Sequence, residues 1–319
     1  MRTITATLAL AAVAGLADAK TIWAVDNNRR SGETSDRIIK FNSSTPNSVI
    51  SVGITNVDTL FGGLDFDRAG NLYAYATTSA PGLYSINKTT GIATFIGTGG
   101  VAAGYTISDL SFNPSTNQML ALAVQTSAFS SIIYQINLNT GVATLVTTLT
   151  GAGRLEVGLA SSASGRNYLM DVSSNRIFEI VGSTLTPLPA LLGYDANFSQ
   201  GMAIDWSDNG LWAIGAFNAD PEPLFFDRGQ LRTVNADGST TLVGRIGPND
   251  KLYQCGDIAF EPFAGCEADF NGDDQVDFFD YLDFAAAFND EDLAADFNGD
   301  QQVDFFDYLD FAAAFDDCQ

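Results

Sequence analysis

Four segments of the chain begin alike and follow one another at nearly constant intervals. They read GLDFDRAGNLYAYA from Gly63, DLSFNPSTNQMLALA from Asp109, GLASSASGRNYLMDV from Gly158 and GMAIDWSDNGLWAIG from Gly201, with starts 46, 49 and 43 residues apart. Each is a short apolar strand, a polar turn carrying Gly or Asn, and a second alternating strand. A third strand follows in each: GLYSINKTTG, IIYQINLNTG, RIFEIVGS and QLRTVNADG. A fourth reads ATFIGT, ATLVTTL, TPLPALL and TTLVGRIG. Four antiparallel strands recurring at this period predict the blade of a β-propeller.

The two ends complete the pattern. Asp257-Ile258-Ala259-Phe260 reads as a first strand without followers, and TIWAVD, DRIIKF and SVISVG, from Thr21 onward, read as strands two to four. Joined in space they make one more blade, so that no sheet edge is left open. The expectation is a mostly β chain with a five-bladed propeller over residues 20–261, closed by its N- and C-terminal strands. A six-bladed ring, a β-sandwich and a solenoid are the competing architectures. Residues 262–266 form a short linker, and the composition changes abruptly beyond it.

Residues 267–319 contain a near-identical duplication. ADFNGDDQVDFFDYLDFAAAF starts at Ala268 and ADFNGDQQVDFFDYLDFAAAF at Ala295, an offset of 27 residues. Calcium takes six to eight hard oxygens at about 2.3–2.6 Å, and a loop supplying them at positions 1, 3, 5, 7, 9 and 12 wraps the ion from several sides. The first loop has Asp269, Asn271, Asp273, the carbonyl of Gln275, Asp277 and the closing Asp280 at these positions. The second has Asp296, Asn298, Asp300, the carbonyl of Gln302, Asp304 and the closing Asp307. Two Ca2+ sites are expected. Position 6, where a glycine normally takes φ > 0, holds Asp274 and Gln301, so weaker binding is expected, the second site the weaker. An acidic helical hairpin without calcium is the plainer alternative.

This arrangement resembles the dockerin family, in which two loop–helix units of about this length close with Asp rather than Glu. It is most similar to the planctomycete type, whose tails carry the DFNGDG-VDFFDYLDF pattern and a terminal cysteine. The resemblance covers residues 266–319, about a sixth of the chain. It implies a cohesin-like or surface-anchoring protein partner, chosen in part by the residues just before the closing acids: Phe278 and Phe279, Phe305 and Phe306. The helices are apolar nearly all round, more than two short helices can bury against each other. Packing of this tail on the propeller is the alternative.

Charge agrees with a cation-binding tail. Of the 38 acids in the chain, 17 lie from Glu267 onward, where there is no Lys or Arg. The net charge of -23 argues against nucleic acid as a partner. The first 20 residues, MRTITATLALAAVAGLADAK, have one early charge, an apolar run and small residues at Ala17 and Ala19, the pattern of a secretory signal occupying 1–19. No later segment approaches membrane-spanning length. The expected location is outside the cytoplasm, secreted or surface-associated. There, three cysteines predict one disulfide and one odd thiol. Cys266 and Cys318 bracket the tail and are the preferred pair. Cys255 is then free, or bonded to another chain.

The chain has no histidine, which removes Ser-His-Asp triads, Cys-His dyads and His-ligated metals. Propellers bind ligands where loops enter the innermost strands. The candidates just before those strands are Phe61, Tyr105, Arg154, Glu156, Phe198, Gln200, Tyr253 and Gln254, whose aromatic and polar mixture suits a carbohydrate or peptide. The expected role is non-catalytic binding. The alternative is a glycoside-cleaving propeller enzyme, which needs two facing acids. Glu156 with Asp109 is the one pair that could be named, and loop packing accounts for most such residues equally well.

Overall fold

A computed structural model describes residues 20–150, 155–196, 200–206, 210–215, 229–248, 251–262, 268–271, 276–298 and 302–317. The signal-like segment therefore lies outside the described residues, as do Asp273, Gln275, Asp300, Arg154, Phe198, Cys266, Cys318, Asp274 and Gln301.

Among the described residues, twenty strands precede two helices. In chain order they are β1 (Thr21–Asp26), β2 (Arg37–Asn42), β3 (Thr45–Ile54), β4 (Phe61–Phe66), β5 (Leu72–Ala76), β6 (Gly82–Ile86), β7 (Ala93–Gly97), β8 (Thr106–Asn113), β9 (Gln118–Gln125), β10 (Ser130–Ile136), β11 (Ala143–Thr148), β12 (Glu156–Ser161), β13 (Asn167–Asp171), β14 (Arg176–Val181), β15 (Thr184–Pro187), β16 (Met202–Ile204), β17 (Leu211–Gly215), β18 (Gln230–Val234), β19 (Thr240–Arg245) and β20 (Cys255–Phe260). The helices are α1 (Phe278–Asn289) and α2 (Phe305–Asp317), with a 3-10 turn at Leu293–Ala295 between them.

The strands form four-stranded antiparallel sheets in a propeller-like arrangement. Four sheets follow the chain, β4 to β7, β8 to β11, β12 to β15 and β16 to β19. The remaining one has the order β20-β1-β2-β3. There Ile22 lies opposite Phe260 and Ala24 opposite Ile258, so residues from the two ends of the β region share a sheet. The first strands of the sheets, β20, β4, β8, β12 and β16, adjoin one another in a closed circuit.

Strand periodicity explains why sheets stack face to face. Successive side chains point to opposite faces. On β5, Leu72, Ala74 and Ala76 enter one apolar cluster, while Tyr73 and Tyr75 enter the next. On β9, Met119, Ala121 and Ala123 face one neighbour, and Leu120 and Leu122 the other. Inner and middle strands are thus buried on both faces, which is why they read as nearly continuous apolar runs. The fourth strands lie outside and expose Phe95, Leu145, Val146, Leu242 and Val243.

The recurring Asn-x-x-Thr-Gly turns hold the stack at the rim. Asn87 Oδ1 accepts the N–H groups of Thr89 and Thr90, both at 2.9 Å, and Asn137 does the same for Asn139 and Thr140. The closing glycines take φ of +74° at Gly91 and +68° at Gly141. A Cβ on Gly141 would lie 2.1 Å from the carbonyl oxygen of Gly97 on the preceding sheet. Only glycine meets both demands.

The C-terminal helices have a core of their own. Phe284 and Phe311 stack with centroids 3.9 Å apart and planes 1° from parallel. Phe270 meets Phe284 edge-on at 5.4 Å, and Phe297 meets Phe311 at 5.6 Å. Each of these pairings maps onto the other under the 27-residue offset, so the duplication in sequence becomes a near-twofold core.

Candidate functional site

The innermost strands share a local irregularity at one end. Their pairing with the next strand skips one residue: Gly62 in β4, Ser108 in β8, Val157 in β12 and Gly256 in β20. A bulge of this kind re-aims one residue out of the ladder and is frequent beside binding sites. These four residues, together with Gln200 just before β16, border one cavity of about 310 Å3 on the axis of the ring.

One residue deeper the strands converge. Gly63, Asp109, Gly158, Gly201 and Asp257 stand in corresponding places. A Cβ on Gly63 would lie 2.7 Å from the Leu110 nitrogen, and one on Gly201 would lie 2.3 Å from Asp257 Oδ1. The two aspartates use the room the glycines leave. Asp257 Oδ2 accepts the Leu64 N–H at 2.6 Å and Asp109 Oδ2 accepts the Leu159 N–H at 2.7 Å. Two places further along, Asp65 Oδ2 accepts the Phe112 N–H at 2.6 Å. Carboxylates thus staple β20 to β4, β4 to β8 and β8 to β12.

These acids are fully or almost fully buried. Burial, then the charge and contact of Asp257, push Asp109 well above the usual carboxylate range. Burial does the same to Asp257 against the amides it accepts. Asp109 Oδ1 is buried without an N–H or O–H donor. Two carboxylates in contact disfavour each other's charge, which adds to the cost of burial for Asp109. Asp65 is pushed up to about 7 by burial, despite the N–H groups of Phe112 and Phe66.

Of the mouth residues expected from sequence, Phe61 and Gln200 border the cavity. Tyr105 lies outside its lining, with its hydroxyl 2.8 Å from Ser130 Oγ. Tyr253 is buried among Ile246, Cys255 and Ile258 with Arg30 over its ring, and the Gln254 N–H donates to Asp26 Oδ1 at 3.0 Å. Glu156 is buried and accepts the Ser131 hydroxyl, whereas Asp109 meets Asp257. The two acids named for glycoside cleavage thus each have a different neighbour. Sequence reasoning missed Asn27, Thr77 and Ser108, because it favoured aromatic and charged residues over small hydroxyls and an amide. Among the described residues Cys255 is unpaired, and it is 0% exposed in an apolar cluster.

In the C-terminal unit the two closing acids fold back over their loops. Asp280 accepts the N–H groups of Asn271 at 3.1 Å and Asp277 at 2.8 Å. Asp307 accepts those of Phe297, Asn298 and Asp304 at 2.8, 3.1 and 2.7 Å. Burial pushes the Asp307 carboxyl up, but these amides hold it below the usual range. Asp277 and Asp304 cap the helices, accepting from Phe279 and Phe306. Among the described residues, no three His, Cys, Asp or Glu groups converge closely enough to hold a metal. Phe278, Phe279, Phe305 and Phe306 are each between 63% and 65% exposed, while Phe284 and Phe311 are buried. Apolar residues on all sides of these helices do not mean burial on all sides.

No protein-family model matches the chain, and no curated protein matches it. Solved structures share a fold likeness. A protein of unknown function from Bacteroides caccae is 10% identical with a TM-score of 0.42, over 76% of this chain and 99% of that one. A calcium-binding protein, regucalcin, from Agrobacterium tumefaciens is 14% identical with a TM-score of 0.39, over 66% and 67%. The Dos1 propeller is 13% identical with a TM-score of 0.35, over 66% of this chain and 55% of that one. None of these likenesses assigns an activity here. No helix among the described residues is long and apolar enough to cross a membrane.

Proposed function

We propose that this is an extracytoplasmic, calcium-binding protein held in place by its dockerin-like C-terminal unit, with a five-bladed propeller that offers a non-catalytic ligand site at its axial mouth. The observation that carries the attachment is the exposure of Phe278, Phe279, Phe305 and Phe306 at the starts of two helices that bury Phe284 and Phe311 further along. An exposed apolar patch of this kind usually marks a contact surface. The partner is a cohesin-like or surface-anchoring protein with an apolar face, and the acidic surroundings of the patch favour a basic rim on it.

Calcium suits the donor set. Asp269, Asn271 and Asp280 in the first loop, and Asp296, Asn298, Asp307 and the Gln302 carbonyl in the second, would hold the ions, with Asp277 and Asp304 acting through water. Bound calcium would neutralise the closing acids and tie each loop to its helix. The ring of five adjoining innermost strands supports the blade count.

Titration of the full chain with CaCl2 should give two sites, with Asp280→Asn and Asp307→Asn each removing one. Absence of binding at millimolar calcium sinks the calcium reading. Against a panel of purified cohesin domains, the wild type should bind and a Phe278→Ala/Phe279→Ala/Phe305→Ala/Phe306→Ala variant should not. Equal binding by both would place the attachment elsewhere.

A further inference from the structure

We propose that the axial mouth takes the end of a saccharide chain, with one pyranose unit in the cavity and the next against the ring of Phe129. This rests on the reading of the mouth as the propeller's ligand site, and it names the ligand's class and a residue that holds it.

The first observation is a backbone outlier. Gln125 pairs with Ser130, so residues 126–129 form a four-residue turn between β9 and β10. Phe129 closes it at φ +49°, a conformation that Asn tolerates and a bulky side chain adopts only at a cost. The next sheet repeats the turn. Asp171 pairs with Arg176, and residues 172–175 join β13 to β14. The equivalent residue there is Asn175, at φ +51°. Its Oδ1 accepts the Ala196 N–H at 2.8 Å, and its Nδ2 donates to Asp195 Oδ1 at 3.0 Å. Phe129 can make neither bond, and it is 51% exposed. Neither backbone preference nor burial accounts for a phenyl ring in this place. Strain of this kind is kept where the side chain is used.

The second is its position. The Tyr105 hydroxyl meets Ser130 Oγ at 2.8 Å, which ties the approach to β8 to the residue after Phe129. Gly104 and Thr106, on either side of Tyr105, border the cavity, and so does Thr126 at the start of the same turn. The exposed ring therefore stands at the rim of the mouth. The third is the lining. Thr77 Oγ1 donates to the Leu60 carbonyl at 2.9 Å and Asn27 Nδ2 to Asp36 Oδ2 at 2.8 Å, so the oxygens of both side chains keep lone pairs for a ligand. Thr106 and Thr126 are exposed and add hydroxyls that donate as well as accept. Ile107, Leu155 and Val157 supply apolar wall. A pyranose matches all of this. Its hydroxyls donate and accept at close intervals, and its slightly positive C–H face lies well on the negative face of an aromatic ring. A volume of about 310 Å3 is at the low end for small-molecule sites, which suits one sugar unit inside and the next at the rim.

A glycan array probed with the full chain, then calorimetry with the glycan bound best, tests this. That glycan should shift the amide resonances of Gly62, Ser108 and Gly256. Phe129→Asn, which copies the equivalent turn, should weaken binding about tenfold and melt no lower than the wild type, because the backbone strain is relieved. Phe129→Tyr should keep the binding. A Phe129→Asn protein that melts several degrees lower and binds as the wild type does would make Phe129 a packing residue and overturn its role. Ser108→Leu, which fills the mouth, should abolish binding. Binding lost with Ser108→Leu alone keeps the mouth and overturns the part given to Phe129, whereas binding that survives both changes overturns the proposal and the reading of the mouth together. An array without a hit overturns the saccharide. A mixture of tripeptides that then shifts the same three resonances keeps the mouth as a site for another class of ligand, and its failure to do so overturns that reading too.

Discussion

Asp109 and Asp257 occupy places where the other innermost strands have glycine, and each holds an amide of the adjoining strand while touching the other. Both carboxyls are raised, and so is that of Asp65. The charged groups acting on Asp109 are Asp257 from β20 and Asp65 from β4, all of one sign. A carboxyl raised on folding contributes stability that is complete below its unfolded value, about 4, and is lost as pH rises through its folded value. Thermal unfolding should therefore occur at lower temperature as pH climbs past about 4 and through the region near 7 where Asp65 ionises. Asp109→Asn keeps an acceptor for the Leu159 amide and removes one charge. It should flatten that slope and raise the melting temperature at pH 9, by about 2–4 °C for each kcal/mol restored. Gly201→Ala should act oppositely. Its methyl would meet Asp257 Oδ1 at 2.3 Å, and overpacking of this kind costs about 1–3 kcal/mol, read as a lower denaturant midpoint.

At the scale of elements, each C-terminal helix starts with two exposed Phe and buries another, Phe284 or Phe311, further along. Phe284→Ala or Phe311→Ala removes half of a stacked pair from the aromatic core and should cost the C-terminal unit about 3–5 kcal/mol, seen as loss of helical circular dichroism. Phe278→Ala and Phe279→Ala should change stability by less than about 0.5 kcal/mol, because those rings are mostly in solvent. The spacing of Asp269, Asn271, Asp277 and Asp280 made the loop-and-helix units legible in the sequence. Which Phe would be buried was not, since a helix of apolar residues does not itself state which face meets a neighbour. The hairpins were legible for a related reason: LYAYA in β5 and QMLALAVQ in β9 must be buried on both faces, and only stacked sheets allow it. The bulges at Gly62, Ser108 and Val157 leave no trace in such patterns, because skipping one residue in a doubly buried strand exchanges one apolar face for another. Gly62 and Val157 at the mouth fell outside the sequence expectation for that reason.

At the scale of the whole molecule, β20 and β1 are joined by backbone pairing between the far ends of the β region. A chain ending after residue 254 lacks β20 and bares the edge of β1, and should be recovered insoluble. A chain ending after residue 262 keeps β20 and loses only a unit with its own apolar core, and should unfold within a few degrees of the full protein. Because β1 spans Thr21–Asp26 and β20 spans Cys255–Phe260, the chain that separates them must be synthesised before they can pair. At roughly 5–20 residues per second, that delay is on the order of tens of seconds. For all that time the earliest strand waits with one side unmatched, so the nascent protein's need for a holding chaperone is set by the position of its last strand.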